Sequence, residues 1–467
     1  MTTTLLDVRP SRRALLGGAA ALGLGGLSLK SARAANADVD VVIVGAGAAG
    51  IGAGLALKHN GISCRILEAD SRIGGRALTD TTTFKGAKGK AVPFDIGCAW
   101  IHAYHTGDPF ADWSRQLHYD TQAHSLGVNR LFYGRTPFSS LMVKMIEEDE
   151  EAFVALFKTS GDVAASSVIK DWQRPMDATA TYMGPMDMGV DFDDLSTADF
   201  VAMADYEPNY LVREGYGTLI KQVGLMGGLD IVLSTPVTAI DTSGTGVKVT
   251  TGGARPGTIN AKAVIVTVST GVLASGAIKF TAPLPQTTQQ AIDDVPMGLL
   301  AKIPLQVPGI GHYLDGIGPY DNVLDQGGNG FTRDDIYFLA WPWDSDLMVG
   351  FVGGKFGWDM SRKGQKVAVD YAKQKLGDLL GSSVQKRVTR GLLTPWATNK
   401  LTLGAYSAAK PGKHASRAAL AQPVAGGRLV FAGEATAPAG MFATASGAYL
   451  AGQAAATGIT AAVAKAG

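Results

Sequence analysis

Val41-Val42-Ile43-Val44-Gly45-Ala46-Gly47-Ala48-Ala49-Gly50 is the stretch on which the fold turns. Four apolar residues in a row, three valines and an isoleucine, read as a buried parallel strand. The glycines follow at once, and 51–59 continues as a helix. Gly45 permits the tight turn, Gly47 lets the backbone approach a pyrophosphate, and Gly50 lets helix and strand pack closely. The backbone of Gly45, Gly47, Ala49 and Gly50 is expected to hold phosphate at the helix N-terminus, where free N–H groups and the helix dipole favour an anion. Ser63-Cys64-Arg65-Ile66-Leu67 reads as a second strand ending on Glu68. That acid lies 23 residues beyond Gly45 (68 minus 45), where a carboxylate accepts from both ribose hydroxyls.

A lone G-x-G-x-x-G is weak, and its bland reading is a glycine-rich helix packed on a sheet. The order strand, turn, helix, strand, acid is much stronger and points to a Rossmann-like α/β unit that binds a dinucleotide. NAD and FAD both use this unit. Arg72-Ile73-Gly74-Gly75-Arg76 places a second glycine pair and an arginine just beyond Glu68. That pattern suggests a second loop wrapped around a long pyrophosphate-linked cofactor, the alternative being a surface arginine in a turn.

The rest of the chain narrows the class. At 467 residues it has room for two large domains or about three of ordinary size. Charged residues make up only 18%, and the 60 glycines show no G-X-Y period, which excludes collagen and wholesale disorder. A net charge of +1 without a basic tract leaves no nucleic-acid footprint. Two cysteines, Cys64 and Cys98, make neither a disulfide scaffold nor a four-cysteine zinc site. His102 and His105 are spaced H-x-x-H without further ligands, so no metal is expected.

The first 37 residues read as an address. Ser11-Arg12-Arg13-Ala14-Leu15-Leu16 has the form of a twin-arginine signal, an apolar Gly/Ala-rich stretch follows over 14–29, and cleavage fits after Ala34 or Ala37. The alternative, a membrane anchor, is weakened by the glycines and by the length, since spanning takes about 20 strongly apolar residues. Twin-arginine export carries folded proteins, so the expectation is a periplasmic or secreted holoprotein, soluble once cleaved.

Beyond Arg76 the sequence resembles the flavin-containing amine oxidases, the monoamine and polyamine oxidases, over about 38–464. The resemblance rests on blocks in the family's order. These are Glu68 with Arg76; Phe94-Asp95-Ile96-Gly97-Cys98-Ala99-Trp100-Ile101-His102; Glu214-Gly215-Tyr216-Gly217; Ser234-Thr235-Pro236-Val237; Ala263-Val264-Ile265-Val266; and Leu429-Val430-Phe431-Ala432-Gly433-Glu434-Ala435-Thr436. It implies an FAD-binding domain in three pieces (38–105, 208–295 and 395–467) and an α+β substrate domain in two (106–207 and 296–394). It further implies that Glu68 and Arg76 serve the adenosine ribose and phosphates, Val237 the adenine, and Gly97 and Trp100 the loop beneath the flavin. Gly433, Glu434 and Thr444 would lie along the ribityl chain and ring.

For chemistry the resemblance implies hydride transfer from the carbon beside an amine nitrogen to the flavin, with dioxygen as acceptor and hydrogen peroxide as product. Lys302 interrupts an otherwise apolar strand; its bland reading is an edge lysine with its head in water, and the family reading places it beside the flavin. Tyr406 would form one wall of an aromatic cage and Trp396 would stand near it, core packing being the alternative for both. Thr444 falls where monoamine oxidases carry the second wall, with Phe442 as a candidate substitute. His102 follows Trp-Ile as in polyamine oxidases, although Ala103 stands where the family has glycine. Ala405 replaces the cysteine that links flavin in monoamine oxidases, so noncovalent FAD is expected. Glu147-Glu148-Asp149-Glu150-Glu151 either draws a polycation toward the site or is a solvated helix face. Two other functions stay open: an L-amino acid oxidase, which would need an arginine where Trp100 stands, and a flavin carrier without turnover.

Overall fold

The computed structural model describes residues 37–465 apart from 87–88, 106, 125–129, 171–173, 204–206 and 326–334. The export signal expected within 1–37 therefore lies outside the described residues, save its last position.

The opening motif folds as its residues require. β1 (Val39–Val44) ends at Gly45, α1 (Ala48–His59) begins directly after Gly47, and β2 (Cys64–Leu67) pairs parallel with β1. Gly45 has φ 106°, a left-handed backbone that side chains resist, and a Cβ on Gly50 would stand 1.9 Å from the Gly45 carbonyl oxygen. On the other side of β1 runs Gly257–Val266, also parallel. The inner half of that long strand pairs with Leu429–Phe431, and its outer half pairs antiparallel with Val247–Thr251. The central strands are fully apolar because both faces are covered, on one side by α1 and the helix Ala445–Lys465. Segments from the start, middle and end of the chain thus build one sheet, and their carboxyl ends open on a common crevice.

A second, mostly antiparallel sheet of seven strands is drawn from 131–137 and 300–391. Its strands alternate. Ala301, Ile303, Leu305, Phe338, Met348 and Val352 face the helix side, where Ala368, Ala372, Leu376 and Leu380 of the helix Gln365–Leu380 close the core. Leu339, Leu347, Val349 and Phe351 face the other way, toward Trp396 and Ile96. The period of two therefore aims Lys302, between Ala301 and Ile303, away from the helix side and toward the segment that carries Asp95 and Gly97. A small sheet joins the two regions: Tyr210–Val212 pairs with both Trp100–Ile101 and Thr121–Ala123.

Candidate active site

A cleft of about 430 Å³ lies between the two sheets. Its lining draws together every cofactor and catalytic candidate named from the sequence except Gly50, which sits behind the turn. At the carboxyl end of the first sheet it is bounded by Gly45, Gly47, Ala49, Glu68 and Val237. A Cβ on Gly47 would meet nothing nearer than 3.9 Å, and one on Gly433 nothing within 4 Å, so both backbones face open space. That room, beside free N–H groups of the first turn of α1, fits a pyrophosphate-linked cofactor.

Glu68 is buried and already engaged. Its Oε2 accepts from the Ala46 N–H at 2.6 Å and its Oε1 from the Asp70 N–H at 2.7 Å. These bonds fix the carboxylate across the end of β2, and each oxygen keeps a lone pair for a hydroxyl. Arg76 donates from Nη1 to the Ala405 carbonyl at 3.0 Å and to Glu434 Oε1 at 2.8 Å. Glu434 also accepts from the Ser407 N–H at 3.1 Å and Oγ at 2.6 Å. Ser407 is braced by Arg417, which Asp199 holds in a two-point fork at 2.6 and 2.8 Å. Burial alone would raise the Asp199 carboxyl, but the bonds from Arg417 and His414 outweigh it and hold the acid well below the ordinary carboxylate range. None of the Ser407–Arg417–Asp199 chain was legible in the sequence.

The loop 94–102 is pinned from several segments of the chain. The Asp95 carboxylate accepts from the Tyr216 and Gly217 N–H groups, capping the helix Tyr216–Met226, and from Thr79 Oγ1 at 2.6 Å. Three successive carbonyls of the loop are held by two candidate catalytic side chains. The Lys302 ammonium donates to Asp95 O at 2.9 Å and Gly97 O at 2.5 Å, and the Trp396 indole donates to Ile96 O at 2.8 Å. Gly97 lies so close to the Arg76 carbonyl that a Cβ there would stand 1.7 Å from it. Lys302 is 6% exposed, with the Trp100 ring 5.6 Å from its Nζ, so it is no edge lysine reaching for water. Burial lowers its pKa to about 8 against the opposing pull of Asp95. Trp396 is 3% exposed and acts as a prop for the loop as much as a wall of the cleft.

Tyr406 stands half-buried in the cleft with its hydroxyl donating to the Met186 carbonyl at 3.2 Å. Phe442 does not form an opposite wall: it packs under the Arg417 guanidinium, 4.6 Å away, and beside the His414 ring. Thr444 lines the cleft; its Oγ1 accepts from the Gly447 N–H at 2.9 Å and so caps the start of the last helix. The aromatic lining comes instead from Tyr182, Tyr337 and Phe351, which the sequence reading passed over because isolated aromatics carry no signal of their own.

His102 bonds through Nδ1 to Asn209 Oδ1 at 2.7 Å. Asn209 is oriented by donating from Nδ2 to Glu207 at 2.8 Å, so Oδ1 must be the acceptor and Nδ1 of His102 the donor. Burial lowers the imidazole's pKa, and the Asn209 bond only partly offsets this. Ala103 adopts φ 50°, a left-handed backbone that a glycine would take without strain. Trp100 donates from Nε1 to His124 Nδ1 at 3.0 Å, a partner the sequence did not reveal. Among the described residues no group of three or more His, Cys, Asp or Glu is placed to hold a metal ion, and no helix is long and apolar enough to cross a membrane.

The profile of the flavin-containing amine oxidoreductase family matches residues 118–460, well over half of the chain. The chain belongs to that family. Residues 43–117 match the NAD(P)-binding Rossmann-like domain, the unit built around β1 and α1. Polyamine oxidase 4 of Oryza sativa subsp. japonica is 27% identical over 446 residues, which cover 86% of this chain and 84% of that protein. Lysine-specific histone demethylase 2 of Homo sapiens is 28% identical over 52% of this chain but only 29% of its own length. Among solved structures, a putrescine oxidase bound to putrescine shares the fold with a TM-score of 0.72 at 19% identity, covering 91% of this chain and 99% of its own. Cyclohexylamine oxidase from Brevibacterium oxydans IH-35A does so with a TM-score of 0.72 at 21% identity, over 90% of this chain and 98% of its own. The mixed α/β architecture with a Rossmann-like domain is that of the flavin amine oxidases, and the chain is an amine-oxidising oxidoreductase.

Proposed function

We propose that this amine oxidase binds FAD without a covalent link and oxidises a small aliphatic amine of the polyamine kind to an imine, with dioxygen as acceptor and hydrogen peroxide released. The observation that carries the reading is the convergence of Lys302, Tyr406 and His102, from three separate segments, on the same cleft as Gly47, Glu68 and Glu434. A bound flavin supplies the two-electron acceptor that no side chain here provides. Gly45, Gly47 and Ala49 would hold its pyrophosphate, Glu68 and Val237 its adenosine, and Glu434 and Thr444 its ribityl end.

The chain's own residues do the rest. Tyr182, Tyr337, Phe351 and Tyr406 give an amine an aromatic, poorly hydrated lining, which disfavours its cationic form and delivers the lone pair that oxidation needs. His102, kept neutral by burial, adds no competing positive charge. The Lys302 ammonium, fixed by two carbonyls, supplies the positive charge that favours electron transfer to dioxygen. A flavin carrier without turnover would not need this arrangement.

Two details support noncovalent binding. Ala405 presents no sulfur to the cleft. Cys98 does line it, but burial and the nearby Asp95 charge push its thiol up to about 12, so it stays a poor nucleophile. Amino acids are disfavoured as substrates. Among the described residues the arginines on the cleft wall are Arg72, tied to the Gly75 carbonyl, and Arg76, tied to the Ala405 carbonyl and Glu434, and Trp100 stands where a carboxylate-binding arginine is expected.

The test is peroxide release from purified enzyme against a panel of polyamines, aromatic amines and amino acids, with bleaching of the flavin under argon. Peroxide from amino acids alone, or no bleaching by any amine, overturns the reading. Acid precipitation should leave the yellow colour in the supernatant. For the export proposal, the intact mass of periplasmic protein should correspond to cleavage after Ala34 or Ala37; membrane-bound protein retaining Arg12 and Arg13 would refute it.

A further inference from the structure

We propose that His124 is a positioning residue for amine oxidation: its Nδ1 holds the Trp100 indole at the tilt that shapes the cleft beside Lys302. The proposal rests on the amine-oxidising reading above and assigns the setting of one aromatic wall to one side chain.

The small three-stranded sheet brings the two residues together. Trp100 and Gln122 both pair with Leu211 of the central strand Tyr210–Val212, from opposite sides. His124 lies two residues beyond Gln122, and its N–H donates to the Asn209 carbonyl at 2.9 Å, which carries the pairing one step further. The period of two puts His124 on the face that carries Trp100. The indole bridges the central strand and donates from Nε1 to His124 Nδ1 at 3.0 Å, with the ring centroids 6.0 Å apart.

An indole nitrogen can only donate. Nδ1 must therefore offer its lone pair, and the proton of the neutral imidazole sits on Nε2. His124 is 4% exposed. The Tyr320 backbone and the Asn322 side chain lie near enough to favour a protonated ring, although neither closes a hydrogen bond to Nε2. Burial outweighs both and lowers the pKa to about 4, so the acceptor is present at neutral and alkaline pH.

The Trp100 ring also meets two other groups of the cleft. It lies 5.8 Å from the Phe351 ring and 5.6 Å from the Lys302 Nζ, and all three residues line the cavity. The tilt of the indole thus sets the room between Phe351 and Lys302. The backbone of the loop is held separately: Lys302 and Trp396 fix the Asp95, Ile96 and Gly97 carbonyls. Among the described residues His124 is the hydrogen-bond partner of the indole. Without that acceptor the N–H is left unpaired in the wall, and the ring turns to find another partner. A shift of this kind in a wall that positions substrate slows the chemical step, while the loop keeps its path.

The experiment uses the purified holoenzyme, normalised to flavin content, with the fastest amine of the panel above. Stopped-flow measures the limiting rate of anaerobic flavin reduction and, separately, reoxidation by dioxygen. His124→Phe keeps a ring and removes the acceptor; reduction should slow by about tenfold or more, at least ~1.4 kcal/mol of barrier. Reoxidation should stay within about twofold of wild type, because the Lys302 bonds do not involve His124. His124→Asn places an oxygen where Nδ1 stood and should recover reduction to within about threefold of wild type. In a Trp100→Phe background, where the donor is gone, His124→Phe should slow reduction by no more than about twofold further. Wild-type reduction in His124→Phe, an Asn variant as slow as the Phe variant, an equal loss in both half-reactions, or full additivity with Trp100→Phe overturns the proposal. If His124→Phe does not fold and load flavin, Trp100→Phe removes the same bond from the other side; it should show slowed reduction with unchanged reoxidation, and wild-type reduction again overturns the proposal. Failure of every amine to bleach the wild-type flavin would sink the amine reading and the positioning role with it.

Discussion

Arg76 and Glu434 are 358 positions apart in the chain, and their side chains meet at 2.8 Å. The sequence assigns one to the second glycine loop and the other to the C-terminal signature. Their pairing shows that the two loops form one polar wall, further tied through Ser407 to the buried Arg417–Asp199 fork. Three donors on Glu434 hold it oriented without any ligand.

That fork should carry much of the wall's rigidity. Asp199→Asn leaves the Arg417 guanidinium, 2% exposed, without its counter-charge. A loss of about 3–5 kcal/mol is expected, read as a lower urea midpoint at neutral pH. Because the Asp199 carboxyl is depressed in the folded protein, its contribution is present above the unfolded pKa of about 3.9 and is lost as pH falls below it. The difference between wild type and variant should therefore shrink in acid. A variant as stable as wild type at pH 7 would refute this.

Lys302→Met nearly conserves volume and removes the charge. Folding and flavin content should survive. Reoxidation by dioxygen should slow by about tenfold or more, at least ~1.4 kcal/mol of barrier, because no other ammonium is placed between the Asp95 and Gly97 carbonyls. Stopped-flow separates anaerobic reduction by amine from mixing with dioxygen. Wild-type rates in both halves would mean that Lys302 only pins the loop.

The two half-reactions should respond to pH in opposite directions. Reduction by amine should rise from about pH 6 toward about 9, as more of the substrate is neutral. Lys302 has a pKa lowered to about 8, so its charge is present below that value and lost above it. Reoxidation should then decline above about pH 8, and Lys302→Met should flatten this decline. Parallel profiles for the two halves would contradict the assignment.

Ala103 holds φ 50°, a conformation that costs a residue with a Cβ about 1–2 kcal/mol. Ala103→Gly relieves that strain and gives back part of it as unfolded-chain entropy. A net gain of about 0.5–1 kcal/mol is expected from thermal or urea unfolding. A loss of stability would show that the loop backbone is unstrained.

The Rossmann-like unit was legible because it is local: strand, glycine turn, helix and acid follow one another within thirty residues or so, and backbone sterics dictate what each glycine does. The same holds for Lys302, since an isolated charge in an apolar strand is conspicuous and a period of two determines the face it points to. Other features were invisible for the opposite reason. Asn209, Tyr337 and Ser407 are ordinary residues along the chain, and they acquire a place at the cleft only through neighbours in other segments: Asn209 meets His102 across 107 positions, and Ser407 meets Glu434 across 27. Phe442 shows the converse: its position beside Thr444 made it a plausible cage wall, but the buried Arg417 guanidinium claims its ring. The sequence by itself determined the nucleotide-binding unit, the family and the residues that interrupt local pattern. Only the tertiary structure decided which carboxylates are paired, because pairing depends on distances between segments that no local spacing encodes.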